Sequence, residues 1–349
     1  GVLTHHARFV VDSSWRRPAD GAVVFAGSPL KVFRLGEAGK TIVELLEHGQ
    51  ELPDGHESLT DRLLDAGAIH RLVALDDDLP FQLSDITVVI PAFVQSPDDA
   101  TRLDSAVLCC TGVFSVIVVD DNSPHALPTL GNAHVVTLAT NRGPGAARNA
   151  GLAQVTTPLV AFIDLDVTLT IDALNGLIAH FADERVGIVA PRVLGDNLDS
   201  TIGKYEQVRS PLDLGPSQAR IAPGTRVSYV PAAVWLCRTA AIRAVDGFDE
   251  SLRSGEDVDA LWRVVGAGWR CRYQPEVAAS HLPRTTLHDF INQRRMYGRS
   301  AAGLSARHPG AVPPLRVSAY SAGMWTLIAC GSPFLSALVG AYTVVTLAR

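Results

Sequence analysis

The sequence predicts an α/β protein: a mostly parallel sheet covered by helices on both faces, preceded by a small α+β module. Two observations carry this. Short apolar runs at 86–90, 116–119, 135–138, 159–163 and 187–190 each stop at Pro or a polar residue. Between them, 99–110, 145–154 and 171–182 read as helices. Apolar strands alternating with helices are the pattern of a buried parallel sheet. Such a sheet binds ligands beyond the carboxyl ends of its strands. Asp120, Asp121, Asn141, Asp164 and Asp166 fall at those ends.

The chain has 349 residues, 47% hydrophobic and 19% charged, which suits two or three modules with a large core. Lys+Arg is 30 against Asp+Glu 36, a net charge of -6, which argues against a general nucleic-acid binder. The cysteines (Cys109, Cys110, Cys237, Cys271, Cys330) form no C-x-x-C pair and suggest reduced thiols in the cytoplasm. The start of the chain lacks the basic-then-apolar pattern of a signal peptide.

The first module, residues 1–79, opens with short strands around Val10-Val11, Val23-Val24-Phe25 and Val32-Phe33, joined by turns at Asp20-Gly21 and Gly27-Ser28-Pro29. Two helical faces follow, Ala38, Ile42, Leu45 and Leu46, then Leu59, Leu63 and Leu64, closed by Gly67. Asp76-Asp77-Asp78 and Pro80 read as a linker into the second domain, 80–310. The last segment, 311–349, carries no charge from Val317 to Ala348, broken at Gly331-Ser332-Pro333. Its length admits a bilayer span, an interfacial hairpin or a buried helical pair; the short halves favour interfacial burial or an oligomer contact.

Four motifs carry the chemistry. Asp164-Leu165-Asp166 follows a buried strand; in extended backbone its two carboxylates face the same way and suit a hard cation, Mg2+ or Mn2+. Two ordinary solvated Asp residues are the alternative. Asp120-Asp121-Asn122-Ser123 offers acceptors for a base or ribose, or simply forms an Asx turn. Asn141-Arg142-Gly143 leads into the small-residue helix carrying Ala147-Arg148-Asn149, where a helix start beside an Arg suits phosphate. Gly255-Glu256-Asp257 opens a helix, with its carboxylates either partnering the helix dipole or supplying a general base. His281 lies beyond a strand-like segment at 269–273, as a structural histidine, a third cation ligand or a phosphate contact.

In this order the motifs resemble family 2 glycosyltransferases of the GT-A fold, over residues 86–307. The resemblance implies a Rossmann-like nucleotide-diphospho-sugar transferase that works by inversion, usually with UDP-sugars. It implies that Pro91, Asp120, Asp121 and Arg142 serve the nucleoside. Asp164 and Leu165 would hold the donor, and Asp166, Asp164 and His281 the divalent cation. Asp257 is the implied base, with Glu256 its competitor. Ala92-Phe93-Val94-Gln95 departs from the aromatic-Asn that many relatives carry after the proline. The first module looks like a winged-helix-like, PqqD-like peptide-recognition element, on Arg17-Pro18, Asp20-Gly21 and Leu63-Leu64-Asp65-Ala66-Gly67. That implies a leader-peptide partner bound by strand addition.

With Val230-Pro231-Ala232-Ala233 and His281-Leu282-Pro283-Arg284-Thr285, the whole is similar to the mycofactocin-system glycosyltransferases. These move glucose onto a peptide-derived acceptor. Two other readings stand beside it: a transferase at the inner face of the cell membrane acting on a lipid or polysaccharide, and a non-catalytic peptide-binding scaffold.

Overall fold

Short strands paired at their edges and two amphipathic helices begin the chain: β1 (Arg8–Val11), β2 (Val23–Ala26), β3 (Lys31–Arg34), α1 (Glu37–Glu47), α2 (Glu57–Ala66) and β4 (Ile69–Leu72). This is a computed structural model, describing residues 8–19, 21–72, 79–196, 201–282, 286–312 and 319–347. β2 and β3 form an antiparallel hairpin and β1 pairs antiparallel with β4. Val43 and Leu46 of α1 and Leu63 and Leu64 of α2 join Phe9, Val24, Phe33 and Ile69 in a core of their own. Gly67 ends α2 with φ 66°, a left-handed conformation that glycine adopts without strain. Asp20 and the acidic linker Asp76-Asp77-Asp78 lie outside the described residues.

The second part alternates as expected: β5 (Ile86–Ala92), α3 (Pro97–Cys109), β6 (Ser115–Asp120), β7 (His134–Thr137), α4 (Pro144–Gln154), β8 (Leu159–Ile163), β9 (Val167–Thr168) and α5 (Ile171–Ile178). There follow β10 (Val186–Gly195), α6 (Thr201–Arg209), β11 (Ala219–Ile221), β12 (Val234–Arg238), α7 (Thr239–Arg243), α8 (Glu256–Gly266), β13 (Arg270–His281) and α9 (Leu287–Arg307). Nine of these strands make one sheet in the order β11-β13-β10-β12-β8-β5-β6-β7, with β9 beside β13. β8, β5, β6 and β7 run parallel, as do β10 and β13. β12 is antiparallel to both β8 and β10, so it joins the two parallel sets.

Every residue of β8 is buried, as a strand covered on both faces requires. α3 starts cleanly because Ser96 caps it, accepting from Asp99 N at 3.2 Å, with Pro97 in the first turn. α4 lies against the sheet through Ala146, Ala147 and Gly151; a Cβ on Gly151 would run into Val89. The glycine is therefore there for closeness.

The first part is clamped to the sheet by charge. Arg270, at the start of β13, reaches Asp61 and Asp65 of α2 and Asp183 of the sheet domain, each at 2.7 Å. Arg226 bonds Asp12 at 2.8 Å, and Asp12 also pairs with His70 at 2.9 Å. Residues Gly1–His308 form one compact unit and Pro309–Arg349 a second. The second unit is the helical pair α10 (Ala319–Ala329) and α11 (Pro333–Leu347), broken at Gly331-Ser332 as the sequence indicated. Among the described residues, no helix is long and apolar enough to cross a membrane. All five cysteines are free thiols.

Candidate active site

β5, β6 and β8 all end on one edge of the sheet, and the charged motifs collect there. β6 finishes at Asp120, whose Oδ1 accepts from Ser123 N at 2.8 Å while Asn122 takes φ 59°. This is the Asx-type turn that competed with a binding role for the residue. Asp121 is buried and both its oxygens are engaged: Oδ1 accepts from Arg142 N and Oδ2 from Gly143 N, each at 2.7 Å. The carboxylate thus ties the end of β6 to the entrance of α4. The two amides that Asp121 binds precede the first turn of α4, and the Arg142 guanidinium pairs with Glu250. Pro91, half-buried, lies opposite Val119 in the β5–β6 register, beside this turn.

Asp164-Leu165-Asp166 departs from the extended geometry that would aim both carboxylates one way. It is a tight turn, closed by Val167 N donating to Asp164 O at 3.1 Å. The reversal is needed because β9 runs antiparallel to the end of β13, with Val167 opposite His281. The two carboxylates therefore take different partners. Asp164 Oδ1 accepts from Arg148 Nη2 at 2.7 Å, and Asp166 Oδ2 lies 3.2 Å from His281 Nε2. Leu165 packs its side chain on the main core.

α8 starts from Gly255, φ 82°, which places Glu256 and Asp257 in its first turn. Asp257 Oδ2 accepts from Ala232 N at 3.1 Å, and Asp164 N donates to the next carbonyl, Ala233 O, at 2.9 Å. One dipeptide therefore joins the β8 motif to the α8 motif. Glu256 is buried, and its Oε1 accepts from Arg148 Nη1 at 2.9 Å.

Arg148 was not singled out as a site residue by the sequence, yet it holds Asp164 and Glu256 together from within α4. Its guanidinium also sits 5.4 Å from the Phe248 ring centroid. The available signal was an Arg among Ala146, Ala147 and Gly151, on a helix that must lie close against the sheet; a charge there requires counter-charges. Burial raises the pKa of Asp164, with the charges of Asp166 and Asp257 acting the same way and Arg148 opposing. Burial also raises Glu256, with Asp257 adding to it and Arg148 again opposing. Asp164 and Glu256 are thus bonded to one guanidinium, which also feels the charge of Asp257.

That surplus of negative charge is what a divalent cation neutralises. Among the described residues, no group of three His, Cys, Asp or Glu side chains is arranged to hold a metal. Asp166 and His281 are brought together; Asp164 turns to Arg148 instead of completing the three-ligand set. The Asp166 carboxylate fits a hard cation such as Mg2+ or Mn2+, and an adjacent imidazole suits Mn2+ better than Mg2+; an ion of this class held by few protein ligands completes its shell with substrate phosphates and water. Pro283, Arg284 and Thr285 lie outside the described residues.

The sheet order and the acidic cluster at its edge define a glycosyltransferase of the GT-A fold. The sequence model "Glycosyl transferase family 2" matches residues 87–243. A pre-mycofactocin glycosyltransferase of Mycobacterium tuberculosis is 38% identical over 340 residues, covering 92% of this chain and 68% of that protein. The chain belongs to glycosyl transferase family 2. The succinoglycan biosynthesis protein ExoO of Rhizobium meliloti is 31% identical over 216 residues, covering 56% of this chain and 59% of that protein. A mannosyltransferase of Pyrobaculum calidifontis, solved with GDP-Man and Mn2+, has the same fold, with a TM-score of 0.53 at 18% identity; the match covers 78% of this chain and 85% of that one.

Proposed function

We propose that the protein is an inverting hexosyltransferase that moves glucose from UDP-glucose to a hydroxyl of a peptide-derived acceptor, mycofactocin or its precursor. The observation that carries the reading is the linkage of Asp257 to the Asp164 turn through Ala232-Ala233 at one sheet edge. The similarity to a pre-mycofactocin glycosyltransferase motivates the acceptor.

Pro91, Asp120, Asp121 and Arg142 border the nucleoside, with Asp121 shaping the loop that receives it. Asp164 and Leu165 hold the donor sugar. Asp166 and His281 hold the divalent cation, which when bound offsets charge on the diphosphate leaving group. Asp257, partly exposed at the start of α8, takes the proton of the acceptor hydroxyl. The freed oxygen attacks the anomeric carbon from the face opposite the diphosphate. The bond to the diphosphate oxygen breaks and UDP leaves with the electron pair. Glu256 is disfavoured as base because Arg148 already holds it. The first module offers the β3 edge to a leader peptide.

The test incubates the full chain with acceptor, Mg2+ or Mn2+ and a panel of nucleotide sugars, reading UDP release and the mass of the acceptor. One hexose added from UDP-glucose supports the reading. Transfer from other donors only would overturn the donor, and an acceptor unmodified by every donor would overturn the acceptor. A second reading, a transferase acting on lipid or polysaccharide at a membrane surface, is motivated by α10 and α11. These expose Trp325 and Phe334 at 69% and 74% and contain no charged residue. Sedimentation with vesicles of anionic and neutral lipid distinguishes it.

A further inference from the structure

Away from the acidic edge, a small cavity lies in the seam between the first module and the sheet. Leu64 of α2 and His70 of β4 line it from one side, and His180, Asp183, Arg272 and Tyr273 from the other. Its volume is about 20 Å³, room for one guest the size of a water molecule or a halide.

The polar groups around it are unevenly matched. Arg272 and His180 are each 6% exposed, and among the described residues Arg272 Nη2 and His180 Nε2 have no hydrogen-bond partner. Arg272 makes one bond with its other terminal nitrogen, Nη1 to Leu64 O at 3.2 Å, and among the described residues no carboxylate pairs with it. An unpaired buried guanidinium is costly to keep. Asp183 is the one carboxylate lining the cavity among the described residues, and both its oxygens are taken. Oδ2 accepts from Arg270 Nη1 at 2.7 Å and Oδ1 from Arg185 N at 2.9 Å. His70 is bonded to Asp12, and Tyr273 donates its hydroxyl to Gly215 O.

The guest this space asks for is therefore an acceptor with negative charge. A water molecule could accept from Arg272 Nη2 but would bring two O–H donors and leave the guanidinium charge uncompensated. A monatomic anion brings none. We propose that the seam holds a buried site for one small monovalent anion of the chloride class, bound by Arg272 and His180, and that the anion helps fix the first module to the sheet. Arg272 and Ala219 place the site on β13 and β11, the strands that face α2.

The test uses the full chain in two arms. In the first, crystals are soaked in bromide and the anomalous difference density is read. A peak between Arg272 and His180 is expected, and a water alone at that position overturns the proposal. In the second, the melting temperature is followed as gluconate, too large for the cavity, is replaced by chloride at constant ionic strength. The wild type is expected to melt higher in chloride, as binding to the folded state alone requires. Arg272→Met, which removes the charge at similar volume, is expected to melt at the same temperature in both salts. A wild type indifferent to the exchange, or an Arg272→Met variant with an undiminished chloride response, overturns the proposal.

Discussion

Arg148 Nη2 lies 2.7 Å from Asp164 Oδ1, and the guanidinium that makes this contact also holds Glu256. A helix packed on the sheet thus determines the distance between two acidic motifs separated by roughly ninety residues. The Arg148 guanidinium stands between the two carboxylates and bonds both.

Replacing Arg148 by Met is expected to leave Glu256 buried without its partner and to destabilise the fold by about 3–5 kcal/mol. Urea denaturation measures it. Arg148→Lys restores a charge but lacks the planar fork that reaches two carboxylates at once. It should regain part of the stability while turnover stays low.

Asp257 and Glu256 are adjacent in the chain and differ in surroundings: Asp257 is partly exposed and accepts from the backbone amides of Ala232 and Val258, whereas Glu256 is buried against Arg148. Asp257→Asn should lower kcat by about 10²–10⁴-fold with little change in donor KM, the loss of a positioned base. Glu256→Gln should instead lower stability, since a neutral amide pairs weakly with Arg148. Steady-state kinetics and denaturation on both variants separate the roles. Equal losses of kcat with equal stability would contradict the assignment.

Asp166→Asn and His281→Ala are each expected to weaken Mn2+ binding in the presence of UDP. The loss should exceed the roughly 10–100-fold typical of changing a residue behind a ligand. Titration followed by the electron paramagnetic resonance of free Mn2+ reads this directly. Unaltered Mn2+ affinity in both variants would remove the cation from this corner of the site.

The junction of the first module with the sheet should be acid-sensitive. Burial alone would raise the Asp12 carboxyl, but hydrogen bonds from His70, Arg226 and Ser14 outweigh it and hold the pKa well below the usual range. A depressed folded-state pKa stabilises above the unfolded value, near pH ~4, and that stability is lost as pH falls further. Asp12→Asn should therefore be less stable at neutral pH and show a flatter loss of stability below about pH 4. Melting curves across that range provide the measurement.

Much of the architecture was legible because its signals are local. Runs such as 86–90 and 159–163 are too apolar for anything but a covered strand, and β5 and β8 form there. Gly67, Gly255 and Gly331 punctuate helices where the periodicity stops. The order of the acidic motifs likewise placed them at strand ends. The parallel direction of β5, β6 and β8 then brought those ends to one side.

The partners of each charge were not legible. Extended backbone at Asp164-Leu165-Asp166 was the simplest expectation, but β9 pairs antiparallel with β13 and forces a turn. Asp121 looked like a ligand for a base, yet its oxygens anchor the loop before α4. By itself the sequence determined which segments are strands and helices and which residue types stand at their ends, because periodicity, capping and turn chemistry act over a few neighbouring residues. Only the tertiary structure decided that Arg148 belongs to Asp164 and Glu256, and His281 to Asp166. Electrostatic pairing depends on distance in space, and that distance exists only once the sheet has set its strand order.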